Sequence, residues 1–354
     1  MSTAKPVVGS GKFRYEVNED WARPPAGCEM MAASVTVDAQ DRVYCFNRGK
    51  DHPVIVFDRD GNYLSSWGVG LFAFPHTIRA SKDGNLWLVD RDLAQMMLFT
   101  TSGRLLRTIG TRGFRSDTGV APDDFRSEAY RNVTHGGGPF NLPTDIDVAP
   151  SGELFVTDGY GNARVHKFAA DGTHLLSWGE PGTAPGEFNL PHAVWIDRKG
   201  RLLVADREND RVQVFDQNGK LLHVWPTRLI GPAVIYVDAD DVVYIVEHNS
   251  GLVSVLTLEG GQAAYALVRD ELRRLPTLLG LDKLLEAQLI EAPAEKRPDL
   301  EMTRNLVHQH SRGLAMYKCD HCGFRARQFY WHCPACASWE TYSPRRTEEK
   351  GIPA

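Results

Sequence analysis

Four cysteines in the last tenth of the chain stand in the order Cys319-x-x-Cys322, ten residues, Cys333-x-x-Cys336. A Cys-x-x-Cys turn brings two sulfurs toward one point, and two such turns supply four thiolates, the donor set of a closed tetrahedral site. Gly323 follows the first pair and Pro334 sits inside the second, both suited to tight turns. A site of this kind has no open position, so its chemistry is structural or redox rather than hydrolytic. Zinc is favoured, with iron as the alternative. A second set of reactive residues is dispersed. Histidine directly follows proline at Pro75-His76 and Pro191-His192, whereas matching positions read Pro143-Thr144 and Pro232-Ala233. Arg48, Tyr160 and Arg207 each follow an apolar stretch that ends in Asn or Asp. Two imidazoles, a phenol and two guanidiniums in one place are costly to assemble without an anionic ligand or a metal ion.

A repeat supplies the means of gathering them. "DRVYCFNRGKDHPVIVFDRDGNYLSSWG" (41–68) aligns with "GNLWLVDRDLAQMMLFTTSGRLLRTIG" (84–110), and "GELFVTDGYGNARVHKFAADGTHLLSWG" (152–179) with "GRLLVADRENDRVQVFDQNGKLLHVW" (200–225). A fifth copy, "DVVYIVEHNSGLVSVLTLEGG" (241–261), is weaker. Short alternating strands joined by Asp-Gly, Asn-Gly or Ser-Gly are hairpins, because those turns need positive φ. Four strands recurring every ~40–50 residues indicate propeller blades. In a propeller the inner strands line a central channel, so the residues after each proline meet at one mouth, and each blade can furnish that slot differently. Residues 111–139 break the rhythm and are expected to form a long loop over one face. From about Gly261 the period changes: Leu267, Leu275, Leu278, Leu281, Leu284, Leu285 and Leu289 have helical spacing, and "PAEKRPDLEMTRNLVHQH" reads as a further helix.

The 354 residues suffice for one large domain plus a small one, and a net charge of -5 leaves no basic footprint for nucleic acid. No apolar run reaches the length of a membrane span, and the N-terminus has no apolar signal core. A cytoplasmic location is therefore expected. In that reducing setting the paired cysteines read as metal ligands rather than disulfides, with Cys28 and Cys45 lying far upstream.

Two resemblances sharpen these expectations. On "FNLPTDIDVAPSGELFVTDGYGNARVHKF" and "FNLPHAVWIDRKGRLLVADRENDRVQVF", residues of about 10–260 resemble NHL-repeat propellers and, more narrowly, the peptidyl-α-hydroxyglycine α-amidating lyase family. That resemblance implies a six-bladed propeller with a catalytic zinc on three histidines, each in a Pro-His slot of a different blade. It implies His76 and His192 as two zinc ligands, Tyr160 as the catalytic tyrosine, and Arg48 and Arg207 as anchors for the substrate carboxylate. Thr144 then belongs to a blade that supplies no ligand. The implied reaction deprotonates a zinc-bound carbinolamide hydroxyl, and the alkoxide collapses to release an amide and glyoxylate. The third histidine is expected in a sixth blade, but after "GPAVIYVDADDVVYIVEHNSGLVSVLTLEGG" this chain turns into its tail. The family's calcium-binding aspartate beside that histidine is missing too. His248 is a substitute, although its place corresponds to Arg207. Residues of about 264–345, on "LRRLPTLLGLDKLLEAQL" and "CDHCGFRARQFYWHCPACASWETY", resemble the end of the lipopolysaccharide assembly protein B family: last tetratricopeptide helices, then a rubredoxin-like metal domain.

The expected architecture is mainly β. It comprises a propeller over 10–260 with five recognisable blades and the sixth missing, a helical segment over 262–312, and a rubredoxin-like zinc ribbon over 313–345. The expected activity is that of a lyase-like propeller, impaired by the lost blade, acting on a small carboxylate-bearing or peptidyl substrate. The alternatives are a non-catalytic scaffold whose tail contacts a protein partner, and a fusion of two incomplete genes. No nucleic-acid partner and no membrane span are expected.

Overall fold

Strands form where apolar residues alternate between turn dipeptides. The computed structural model describes residues 6–10, 13–225, 229–258, 281, 285, 289, 296–313, 317–319, 321, 322, 325 and 326, and the chain divides into two compact units, Met1–Val255 and Leu256–Ala354. The first begins with a hairpin, β1 (Val7–Ser10) and β2 (Phe13–Glu16). Five meandering sheets follow, inner strand first. They are β3 (Ala32–Val37), β4 (Val43–Asn47), β5 (Val54–Phe57) and β6 (Tyr63–Trp67); β7 (Pro75–Ala80), β8 (Asn85–Asp90), β9 (Gln95–Thr100) and β10 (Leu105–Ile109); β11 (Pro143–Val148), β12 (Leu154–Asp158), β13 (Arg164–Phe168) and β14 (His174–Trp178); β15 (Pro191–Ile196), β16 (Leu202–Asp206), β17 (Arg211–Phe215) and β18 (Leu221–Val224); and a three-stranded blade, β19 (Pro232–Val237), β20 (Val242–Glu247) and β21 (Leu252–Thr257). The inner strands β3, β7, β11, β15 and β19 pack side by side in chain order. This is a five-bladed propeller.

One polar device recurs in every blade. The second strand ends in a buried acceptor, and that side chain takes a backbone N–H from the segment leading into the inner strand of its own blade. The pairs are Met31 N–H to Asn47 Oδ1 (2.6 Å), Ala73 to Asp90 (2.7 Å), Asn141 to Asp158 (2.8 Å), Asn189 to Asp206 (2.7 Å) and Ile230 to Glu247 (2.7 Å). Hydrogen bonds to its lone pairs offset the cost of burying a carboxylate, although at Asp158 only Oδ2 is engaged and buried Oδ1 has no partner among the described residues. This is why the apolar second strands end in Asp, Asn or Glu.

Apolar layers fill the space between successive blades, as where Phe46 of the first meets Phe72 edge-on at 4.8 Å. The pattern breaks at the two ends of the series. Ile78, Ile146, Val194 and Ile235 occupy one repeat position and are at most 2% exposed, whereas Val35 in the first blade is 60% exposed. Val234 and Tyr236 of β19 are also exposed. Near the first blade's free flank, Trp21 and Cys28 of the N-terminal segment pack on Cys45, Ile55 and Phe57.

Three blades finish their fourth strand with glycine: Gly68, Gly110 and Gly179, at φ +97°, +93° and +98°. A Cβ at Gly179 would enter the Phe188 ring and lie 2.7 Å from the Ala163 carbonyl oxygen. Backbone strain and clash add at this position, so Gly179→Ala should destabilise the propeller by about 3 kcal/mol, lowering its melting midpoint by roughly 10 °C. Gly84 has φ +79° with nothing within 4 Å of its missing Cβ, and Gly84→Ala should cost only about 1 kcal/mol. Equal midpoints for the two variants in a thermal melt would contradict this account.

In the second unit, α1 (Arg297–Gly313) forms on the stretch read as a further helix, and Leu281, Leu285 and Leu289 are helical, with Leu285 buried. The remaining leucines assigned to the last tetratricopeptide helices lie outside the described residues. No helix among the described residues is long and apolar enough to cross a membrane. β22 (Tyr317–Lys318) pairs antiparallel with β23 (Arg325–Ala326) around the first Cys-x-x-Cys turn.

Candidate functional site at the propeller mouth

A second recurring bond builds the mouth. The residue after each strand-ending acceptor returns its backbone N–H to the carbonyl just ahead of the inner strand: Arg48 to Met31 (3.0 Å), Arg91 to Phe74 (3.1 Å), Arg207 to Leu190 (3.1 Å) and His248 to Gly231 (2.8 Å). In the third blade a glycine intervenes, and Tyr160 N–H turns to Leu142 at 3.4 Å. The side chain after the acceptor is thereby set beside the residue after the proline in each blade.

His76, Tyr160 and His192 come together from three blades. Their ring centroids are 5.0 Å apart for the two histidines, 5.6 Å for His76–Tyr160 and 5.5 Å for Tyr160–His192. His76 Nδ1 lies 2.5 Å from the Thr144 carbonyl oxygen, and His192 Nδ1 lies 2.7 Å from that of Ala233. A carbonyl only accepts, so Nδ1 carries the proton in both rings and Nε2 keeps its lone pair. His192 Nε2 accepts from the Tyr160 hydroxyl at 3.1 Å, and the Tyr160 oxygen in turn accepts from Arg207 Nη1 at 3.3 Å. Thr144 and Ala233 thus serve the slot through their carbonyls, each holding the histidine of the preceding blade. Burial pushes His76 down to about 3, and neighbouring Arg48, Arg91 and Arg207 press the same way. Burial, then His76 and Arg207, hold His192 well below the usual histidine range. Both rings are neutral at physiological pH.

Three guanidiniums surround this neutral floor. Arg91 pairs with Asp92 at 2.7 Å and Arg207 with Glu208 at 2.8 Å. Arg48 is exposed, lies 4.1 Å from the centre of the Phe74 ring and donates to the Pro75 carbonyl, with no carboxylate partner among the described residues. Arg91 shares the Phe74 ring, 3.9 Å from its centre, and lies 5.2 Å from that of Tyr160. Arg91 is not among the residues nominated from the sequence, yet its signal is there: it follows Asp90 as Arg48 follows Asn47 and Arg207 follows Asp206.

The residues present do not compose the implied three-histidine zinc site. Among the described residues no group of three or more His, Cys, Asp or Glu side chains could hold a metal ion. His248 is exposed and occupies an arginine-type slot; burial first and then Arg207 lower its pKa. Asp92 and Glu208 are engaged by arginines, which leaves calcium without a ligand set among the described residues. A dication would also face three guanidiniums. The arrangement suits an anion able to accept from arginine and to exchange hydrogen bonds with a phenol and imidazoles.

In the tail the first cysteine pair does fit a metal knuckle. Cys319 is buried, Cys322 is exposed, and the Cys322 backbone N–H points at Cys319 Sγ from 3.5 Å, the local geometry of a Cys-x-x-Cys turn. Cys333 and Cys336 lie outside the described residues.

Residues 140–168 and 188–215 match the NHL repeat family, and residues 317–344 match the family described as Rubredoxin metal binding domain. NHL repeat-containing protein 3 of Homo sapiens is 30% identical over 226 residues, which is 60% of this chain and 60% of that protein. Peptidyl-alpha-hydroxyglycine alpha-amidating lyase 1 of Drosophila melanogaster is 32% identical over 181 residues, 48% of this chain and 30% of that protein. A solved virginiamycin B lyase from Staphylococcus aureus superposes with a TM-score of 0.48 at 16% identity, covering 66% of this chain and 69% of that one. The chain thus spans about 60% of the length of the NHL repeat-containing protein 3 that it matches. It carries NHL repeats in a five-bladed propeller and, at modest identity, is related to that protein and to the amidating lyases.

Proposed function

We propose that the propeller mouth binds the carboxylate of a small α-hydroxy acid or of a peptidyl α-hydroxyglycine, as a lyase-like site with little or no turnover. The observation that carries this reading is Arg48: an exposed guanidinium without a carboxylate partner among the described residues, beside a neutral His76–Tyr160–His192 floor. Arg48 and Arg207 anchor the carboxylate, Arg91 adds positive potential, and the Nε2 lone pair of His76 accepts the ligand hydroxyl. Kinship with amidating lyases supports the hydroxyglycine class. Charge-assisted hydrogen bonds are worth about 1.5–3 kcal/mol, so Arg207→Ala should weaken L-lactate binding roughly 10- to 100-fold in a calorimetric titration. Unchanged affinity in that variant would remove the site.

A second reading rests on the match of residues 317–344 to a metal-binding domain, in a unit distinct from the propeller. On it the chain is a binding protein of a reducing compartment, its tail metal shaping a surface for a protein partner. A fusion of two incomplete genes is the limiting form. Glyoxylate assays separate these from an active lyase.

A further inference from the structure

The inserted loop 111–139 touches three members of the mouth at once. Its Phe125 carbonyl accepts from Arg91 Nη2 at 2.8 Å. A short 3-10 turn, Ala129–Asn132, carries Tyr130, whose hydroxyl donates to Glu208 Oε2 at 3.1 Å while Glu208 Oε1 accepts from Arg207 Nε at 2.8 Å. Val120 and Ala129 pack with Leu142, Leu190 and Tyr160 in one buried cluster. The loop is itself pinned to the Tyr160 turn, because Thr118 donates to the Gly161 carbonyl at 2.6 Å and Asn141 donates to Thr118 at 2.9 Å. Arg91 and Arg207 are accordingly only 4% and 7% exposed, although each is a long cation beside a channel.

We infer that Tyr130 and Glu208 are positioning residues of the anion site, and that the 111–139 insertion preorganises two of its arginines, Arg91 and Arg207. This rests on the carboxylate-binding reading above. A free arginine loses much rotamer freedom when it grips a ligand, and a side chain held beforehand has already given it up. Glu208 alone could swing with Arg207 as an ion pair. Tied through its second oxygen to Tyr130, it becomes a fixed strut, with the two carboxylate oxygens facing opposite tasks. Arg131 Nε donates to the same Tyr130 oxygen at 3.2 Å, which fixes the hydroxyl proton toward Glu208. The Tyr130–Glu208 contact borders a cavity of about 500 Å³. Removing the hydroxyl therefore leaves Glu208 Oε2 open to water without opening a void in the packed core.

Tyr130→Phe, which keeps the ring and changes no charge, provides the test in the full chain. L-Lactate binding should weaken roughly three- to tenfold in the variant. In an Arg207→Ala background the same substitution should change nothing, because the strut then has no arginine to hold. A loss of equal size in both backgrounds, or none in either, overturns the inference. Independently of any ligand, proton exchange at Arg207 Nε–H, followed by nitrogen-edited NMR, should quicken severalfold in Tyr130→Phe, and an unchanged rate also overturns it. Should the wild type bind no lactate, the carboxylate reading fails while the exchange measurement still decides the positioning role.

Discussion

Replacing Cys319 and Cys333 together by serine should remove one bound metal ion per chain, read by elemental analysis of protein purified without chelator. The argument begins with Cys319, a buried sulfur with a backbone N–H directed at it, in a two-stranded turn whose cysteine spacing brings a second pair within reach. Small knuckle domains build too little core to fold on hydrophobic burial alone, so their metal-binding free energy is folding free energy. Loss of two thiolates from a four-thiolate set should therefore be complete rather than graded. Chelation should raise amide exchange selectively across 315–342 and leave the blades protected. Full metal content in the double variant would refute the four-cysteine assignment, and the identity of the ion, zinc or iron, is read from the wild-type sample.

The other large effect concerns turnover. An α-hydroxyglycine peptide offered to the isolated chain should yield little or no glyoxylate, with or without added zinc. A catalytic zinc ordinarily has three protein ligands and an open position. The mouth presents two imidazoles in the expected slots, His76 and His192, with three arginines around them. Even losses outside the ligand shell typically reduce metal affinity or activity by about 10- to 100-fold, and here a ligand itself has no counterpart among the described residues. The Tyr160 hydroxyl is also already committed, donating to His192 and accepting from Arg207. Robust glyoxylate release that disappears in both His76→Ala and His192→Ala would defeat this expectation and mean that His248, or a neighbouring chain, completes the site.

Much of the propeller was legible in the chain because its signals are local. Turn glycines with positive φ, two-residue alternation and strand-ending Asp residues are each dictated by the chemistry of a few neighbouring residues. The four-stranded repeats therefore fell where the Asp-Gly and Asn-Gly turns put them. The weaker fifth copy became a three-stranded sheet. His76, His192, Tyr160, Arg48 and Arg207 could be nominated for the same reason: each stands at a fixed offset from a proline or a strand-ending acceptor. Arg91 obeys that same offset, following Asp90 directly, although it is not among the residues nominated from the sequence.

What local rules could not reveal is which way each group is satisfied. The sequence by itself determined that the chain makes repeated four-stranded meanders and that Arg48, Tyr160, Arg207 and His248 stand at related turns after strand-ending acceptors. It also determined that four cysteines are spaced for two knuckles. Only the tertiary structure decided that the Thr144 and Ala233 carbonyls fix the tautomers of the two histidines, and that Arg91 and Arg207 pair with carboxylates whereas Arg48 has no carboxylate partner among the described residues. It also decided that a loop of no evident periodicity holds two of those arginines. The physical reason is range. Strand and turn formation are set by contacts a few residues apart, whereas a protonation state or a guanidinium's direction depends on groups such as Tyr130 and Glu208, far apart in the chain, that meet only when separate blades pack.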